Sequence, residues 1–204
     1  MTVFMVAIGG SIGAPAGASA TEAALRCAAS AAQARGAEVE FFTGERLRLP
    51  LYDPSAGVRP PTVTRMLDAV AAADAVLIAS PSYHGGVSGL VKNAMDYLEG
   101  LRGDPRPYLT QRAVGCIGVG GGAQGAAATL RSLRETVHAL RGWPAPLGVV
   151  VGPEDRRGDQ PGEAGLSDTV VGRLETLGTE LFEFARIRRP ARAPVPTIAG
   201  RAVG

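Results

Sequence analysis

The sequence predicts an α/β fold, a three-layer α/β/α sandwich whose parallel sheet carries five strands. Short apolar runs of strand length alternate along the chain with Ala-rich amphipathic segments of helix length. The runs at residues 3–8, 75–79 and 113–119 each end in a turn rich in Gly, Ser or Pro that leads into the next helix. A length of 204 residues suits one domain of this kind, with five strands rather than six.

The elements follow in order. Val3 to Ile8 is unbroken apolar sequence ending at Gly9-Gly10, which reads as a buried parallel strand. Thr21 to Arg35 is an amphipathic helix that Gly36 ends. Glu38 to Thr43 is the second strand, and Leu47 to Pro61, with four prolines, is an irregular loop. Thr64 to Ala73 is a helix, Ala75 to Ala79 the third strand, Ser80 to Gly86 a loop, and Val87 to Leu101 a helix. Ala113 to Val119 is the fourth strand, Gly120 to Gly122 a turn, Ala123 to Leu140 a helix, and Leu147 to Val151 the fifth strand. Glu154 to Gly165 is charged and exposed, and Leu166 to Ile187 is the last helix. Residues 1–188 form the domain, and 189–204 have the composition of a flexible tail.

The bulk numbers exclude several classes. A content of 46% hydrophobic and 20% charged residues is that of a globular chain rather than a disordered one. The net charge of +2 lacks the clustered basic face of a nucleic-acid binder. No apolar run approaches a membrane span, and Met1 to Ile8 leads into a Gly loop without a charged leader, so the expected location is cytoplasmic. Cys27 and Cys116 lie far apart outside any CxxC pattern and read as buried free thiols.

Open parallel sheets bind ligands outside the C-terminal strand ends, where the strand order reverses. Three loops fall there. The first, Gly9 to Thr21, offers backbone amides at a helix N-terminus and the hydroxyls of Ser11, Ser19 and Thr21, with Gly10 and Ala20 beside them. It has no lysine, so it is not a P-loop, and its glycines do not make a dinucleotide fingerprint. Neutral donors of this kind suit a phosphate monoester.

The second loop reads Ser80-Pro81-Ser82-Tyr83-His84-Gly85-Gly86 and runs on into Val-Ser-Gly-Leu-Val-Lys-Asn-Ala-Met-Asp-Tyr. The stretch Pro81 to Tyr97 resembles the P-x-Y-x-G-x-x-x-G-x-x-K-N-x-x-D-[WY] signature of NAD(P)H-dependent FMN reductases and their quinone- and azo-reducing relatives. The resemblance implies a flavodoxin-like sheet of order 2-1-3-4-5 with FMN and NAD(P)H as cofactors. It implies that Pro81, Ser82, Tyr83, His84 and Gly85 line the flavin, with His84 a possible proton donor. Lys92, Asn93 and Asp96 are architectural, Lys92 pairing with Asp96 at i,i+4 and Asn93 tying loop to helix. The third loop, Gly118 to Gly125, resembles the family's fourth-strand turn, so Gly120, Gly121, Gly122 and Gln124 are candidate flavin contacts. Leu49 to Pro54 (LPLYDP) resembles a structural or subunit-interface segment of the same family. Where the family commonly has Arg in the first loop, Gly13 stands here, so the choice between NADH and NADPH is open.

Hydride transfer through a flavin needs no acid–base triad, which fits a chain with two histidines. The implied activity is passage of a hydride from NAD(P)H to flavin and on to free flavin, a quinone or another small aromatic, in a homodimer or homotetramer. The alternatives are a specialised flavin-dependent oxidoreductase of a biosynthetic pathway, a flavodoxin-type electron carrier, and a flavin-free scaffold. Trp143 reads as a core or interface residue.

Overall fold

The structure is a computed structural model, and it describes residues 2–12, 19–57, 59–157 and 165–188. The tail, 189–204, lies outside them. The central sheet is built from β1 (Phe4–Gly9), β2 (Glu38–Phe42), β3 (Ala75–Tyr83) and β5 (Ala113–Val119), with β6 (Trp143–Pro144) and β7 (Val149–Val151) sharing its last position. Its order is β2-β1-β3-β5 and then β6 or β7, every one of these pairs parallel. The expected 2-1-3-4-5 order therefore stands, with a fifth strand in two pieces. Pro144 and Pro146 remove N–H donors between the pieces, which is where the ladder breaks. A two-residue strand, β4 (Gly86–Val87), pairs antiparallel with the end of β3.

Alternate residues of the strands face opposite layers, as a period of two requires. Val6, Ile8, Val76, Ile78 and Val114 pack on α2 (Pro61–Ala72), α3 (Gly89–Asp96) and α4 (Ala123–Ala139). Met5, Ala7, Leu77 and Ile117 pack on α1 (Ala20–Gln33) and α5 (Asp168–Arg188). The alanines of α1 let α5 approach closely: a Cβ at Gly178 would overlap the Ala28 carbonyl. Each Val, Leu, Ile or Met side chain buried in these layers contributes on the order of 1.5–3 kcal/mol through its apolar area.

Three local features refine or add to the sequence reading. Helix α1 stops at its cap, Ala34, and Gly36 turns the chain with φ +97°. Of the two readings of Trp143, core or interface, the first does not hold. The residue is 40% exposed, edge-on to Phe184 at 5.3 Å, with the Arg188 guanidinium 4.2 Å above its ring. It pairs with Ala113, at the N-terminal end of β5, so it lies at the opposite end of the sheet from the ligand-binding edge. Arg112 is fully buried and has no carboxylate partner among the described residues. Its guanidinium donates to the carbonyls of Ala71 (2.6 Å), Ala73 (3.1 Å) and Tyr108 (3.1 Å), closing the C-terminal end of α2. Burial, and then the neighbouring Arg106 charge, push its pKa down to about 9.

Candidate active site

Strand β1 has β2 on one side and β3 on the other, so the chain leaves it at the reversal point of the sheet. Beyond the Gly9–Ala79 pair β1 ends, while β3 and β5 run on together as far as Pro81 and Val119. A crevice opens there, between the end of β1 and the extended end of β3. A Cβ on Gly9 would overlap the Ala79 carbonyl oxygen, so only glycine lets the two strands end this close.

The first wall is the N-terminus of α1. Ser19 caps it, its Oγ accepting the Glu22 N–H at 3.3 Å, and Ser11 Oγ donates to Ser19 Oγ at 3.3 Å. Thr21 is buried in the first turn of the helix. Ala20 opens the helix beside it, and Gly10 holds a left-handed backbone at φ +109°. Glu22 would oppose an anion at this helix end. Its carboxylate is instead engaged, accepting from Arg26 at 2.6 Å and from Thr43 at 3.3 Å. Residues 13–18 of this loop, Gly13 among them, lie outside the described residues.

The second wall corrects the expected loop at Ser80 to Gly86. Strand β3 continues through Pro81 and Ser82 to Tyr83, and Gly86–Val87 returns along it. The two turn residues are His84 at φ +53° and Gly85 at φ +81°. Positive φ at both positions is what a tight hairpin needs to match strand twist. With β1 already ended, β3 has lost one neighbour here, and the missing N–H of Pro81 is tolerated. The hairpin presents Tyr83, 57% exposed, with His84 and Gly85 at its exposed tip and Ser82 half-buried at its stem.

Buried hydroxyls fix this hairpin from below. Ser80 Oγ accepts the Ser88 N–H at 3.0 Å and donates to the Pro81 carbonyl at 2.8 Å. Ser88 in turn caps α3 through the Val91 N–H at 3.3 Å. On α3, Lys92 and Asp96 pair at 2.6 Å, as the spacing predicts. Asn93 Oδ1 accepts the Tyr52 N–H at 2.8 Å, its Nδ2 donates to the Pro50 carbonyl at 2.8 Å, and Tyr97 Oη reaches that carbonyl at 3.1 Å. The LPLYDP segment is thereby clipped to the helix that follows the hairpin.

The third wall divides. A Cβ on Gly120 would lie 2.9 Å from the Ala126 nitrogen, so helix packing also requires a glycine there. Its N–H donates to the Val151 carbonyl at 3.0 Å and its own carbonyl accepts from Arg156 at 2.6 Å. Gly121 and Gly122, by contrast, are exposed with open space where a side chain would stand, and Gln124 is exposed in the first turn of α4. The structure thus brings all three loops to one edge. Ser80, Ser88, Thr129 and Arg156 were not among the residues the sequence singled out. Ser80 and Ser88 sit inside the signature stretch or beside it, but nothing in their spacing tells that they bond to one another.

Surface depressions also lie along α4, by Leu130, Arg134 and His138, and beside α2, by Arg59 and Asp68. Neither gathers the glycines and hydroxyls found at the crevice. Among the described residues no group of His, Cys, Asp and Glu is placed to hold a metal ion, and no helix is long and apolar enough to cross a membrane.

The sequence model for NADPH-dependent FMN reductase matches residues 5–156, from β1 to the Arg156 that holds Gly120. The chain belongs to that family. FMN-dependent NADPH-azoreductases of Staphylococcus aureus are 33% identical over 98 residues, 48% of this chain and 48% of theirs. The chain therefore matches about half the length of these curated relatives. Among solved structures, an oxidoreductase from Corynebacterium diphtheriae superposes with a TM-score of 0.70 at 19% identity, covering 92% of this chain and 99% of that one. The flavoenzyme NAD(P)H:(acceptor) oxidoreductase from Paracoccus denitrificans gives 0.64 at 20% identity, covering 90% and 98%. At such identities these two establish the fold, which is flavodoxin-like and α/β.

Proposed function

We propose that this FMN reductase family chain holds FMN in the crevice between the end of β1 and the β3–β4 hairpin. It would take reducing equivalents from NAD(P)H and pass them to a small aromatic acceptor, such as a quinone, an azo compound or free flavin. The observation that carries this reading is the meeting, at the sheet's reversal point, of a hydroxyl-lined helix start and an exposed tight hairpin. The donor set fits the cofactor. Thr21, Ser11 and Ser19 offer three hydroxyls at this helix start. All three are neutral, and α1, fourteen residues long, adds the partial positive charge of its N-terminus. The phosphate would sit there.

FMN, when bound, supplies the hydride and electron chemistry, and the protein supplies binding, orientation and field. The hairpin from Pro81 to Gly85 would flank the flavin ring, its backbone amides turned to the edge where negative charge gathers on reduction. Gly121 and Gly122 leave room for close approach from the other side. The exposed Tyr83 ring would cover the site or bear on a second subunit. His84, at the hairpin tip, is within the same wall and is the candidate to move a proton to the acceptor. We further propose a cytoplasmic homodimer or homotetramer.

Initial rates of NADPH and NADH oxidation, with FMN present and a quinone, an azo dye or free FMN as acceptor, test this reading. Turnover with at least one acceptor supports it. No turnover with either nucleotide refutes the reductase activity.

A further inference from the structure

Helix α4 touches the hairpin at two points one turn apart. Thr129, fully buried, donates its hydroxyl to the Gly86 carbonyl at 3.1 Å. Gly125 lies four residues earlier on the same face of the helix, and a Cβ there would stand 3.0 Å from Ser82 Oγ. One residue draws the returning strand toward α4, and the other leaves just enough room for the outgoing strand. The same helix begins at Gly122, so its first turn carries the open glycine wall of the crevice. Its position against β5 is fixed, because a Cβ on Gly118 would overlap the Ala126 carbonyl.

We infer that Thr129 and Gly125 are positioning residues that set the gap between the hairpin and the Gly121–Gly122 turn, and so tune how tightly the flavin ring is held. This rests on the reading that FMN occupies the crevice. Thr129 has no exposed surface, and Gly125, half-buried, presents no side chain. Thr129 acts through the hairpin backbone, at the Gly86 carbonyl, and Gly125 through the Ser82 side chain. The two substitutions push in opposite senses. Thr129→Val keeps the shape and deletes the bond, which frees the hairpin to swing outward. Gly125→Ala presses on Ser82 from the α4 side.

The test is FMN binding by the full-length apoprotein, followed by quenching of flavin fluorescence, with the visible spectrum of the bound flavin recorded in parallel. Thr129→Val should raise the Kd for FMN about tenfold, the equivalent of one hydrogen bond, and shift the flavin bands. Thr129→Ser should stay within about twofold of wild type, because its hydroxyl restores the bond. Gly125→Ala should alter the spectrum and Kd while leaving the thermal midpoint of the apoprotein within a few degrees. Should Thr129→Val fail to fold, the serine and alanine variants carry the comparison. Wild-type affinity and an unshifted spectrum in both Thr129→Val and Gly125→Ala would overturn the inference. Failure of the wild-type protein to bind FMN would instead overturn the functional reading beneath it.

Discussion

Ser80 and Ser88, eight residues apart and both buried, are joined by a hydrogen bond from the Ser88 N–H to the Ser80 hydroxyl at 3.0 Å. The bond closes the base of the hairpin before α3 begins. Ser80→Ala leaves that N–H buried without an acceptor, a loss of about 2 kcal/mol. In a domain of this size the thermal midpoint should fall by roughly 4–8 °C. Calorimetry of the apoprotein checks it, and an unchanged midpoint would show that the hairpin base is held otherwise.

Arg112 stands inside the protein with its guanidinium bonded to carbonyl oxygens, those of Ala71, Ala73 and Tyr108 among them. With its pKa pushed down to about 9 it is still a cation at neutral pH. Arg112→Met removes every one of these donors and should cost about 3 kcal/mol or more in urea unfolding. Arg112→Lys should recover only part of this, since an ammonium lacks the planar fork that spans both carbonyls of α2.

Cys116 lies in the middle of β5, where burial pushes its thiol from 9.0 up to about 12. The sign follows directly. Above pH 9 the unfolded chain loses this proton while the folded chain keeps it, so the folded state binds more protons and its stability declines as pH rises. The stability advantage of wild type over Cys116→Ala should be constant below about pH 8.5. Above that it should narrow by up to ~1.4 kcal/mol per pH unit until the folded thiol itself ionises near 12. Other titrating groups cancel between the two proteins. A thiol reagent at pH 8 should modify Cys116 only on unfolding, whereas Cys27, half-buried on α1, should react first.

Gly9 and Ala79 end their strands side by side. Gly9→Ala drives a methyl group into the Ala79 carbonyl, so the strands must part at the mouth of the crevice. The expected result is a destabilised protein, by about 3 kcal/mol, that also binds FMN more weakly. Equilibrium unfolding and FMN titration of the same sample read both effects.

Much of this was legible in the sequence where local physics decides alone. Strand β5 has the bounds its apolar run marks, Ala113 to Val119. The pairing of Lys92 with Asp96 and the loop clip by Asn93 follow from helical spacing and the hydrogen-bonding habit of asparagine. The hairpin was hidden because Ser80-Pro81-Ser82 reads as punctuation, and only the ending of β1 at Gly9 makes a proline tolerable there. At Gly120 the α4 backbone takes up the space of a side chain, a packing demand that the run of glycines does not reveal. For Trp143 the sequence left core and interface open, and the split of the fifth strand between two prolines leaves it partly exposed at an edge. Arg112 was invisible, because a charged residue ahead of a strand is ordinarily solvated. At the start of α1, Ser19 is a cap by sequence rule, whereas the burial of Thr21 is a matter of packing.

The central claim is that the crevice holds FMN, and the most direct measurement is titration of the purified apoprotein with FMN, read by fluorescence quenching and visible absorbance. The account predicts saturable one-to-one binding per chain, a shifted flavin spectrum, and weakened binding in Ser19→Ala and Thr21→Val, with riboflavin, which lacks the phosphate, bound less tightly than FMN. Absence of saturable binding, or equal affinity for FMN and riboflavin, would contradict it.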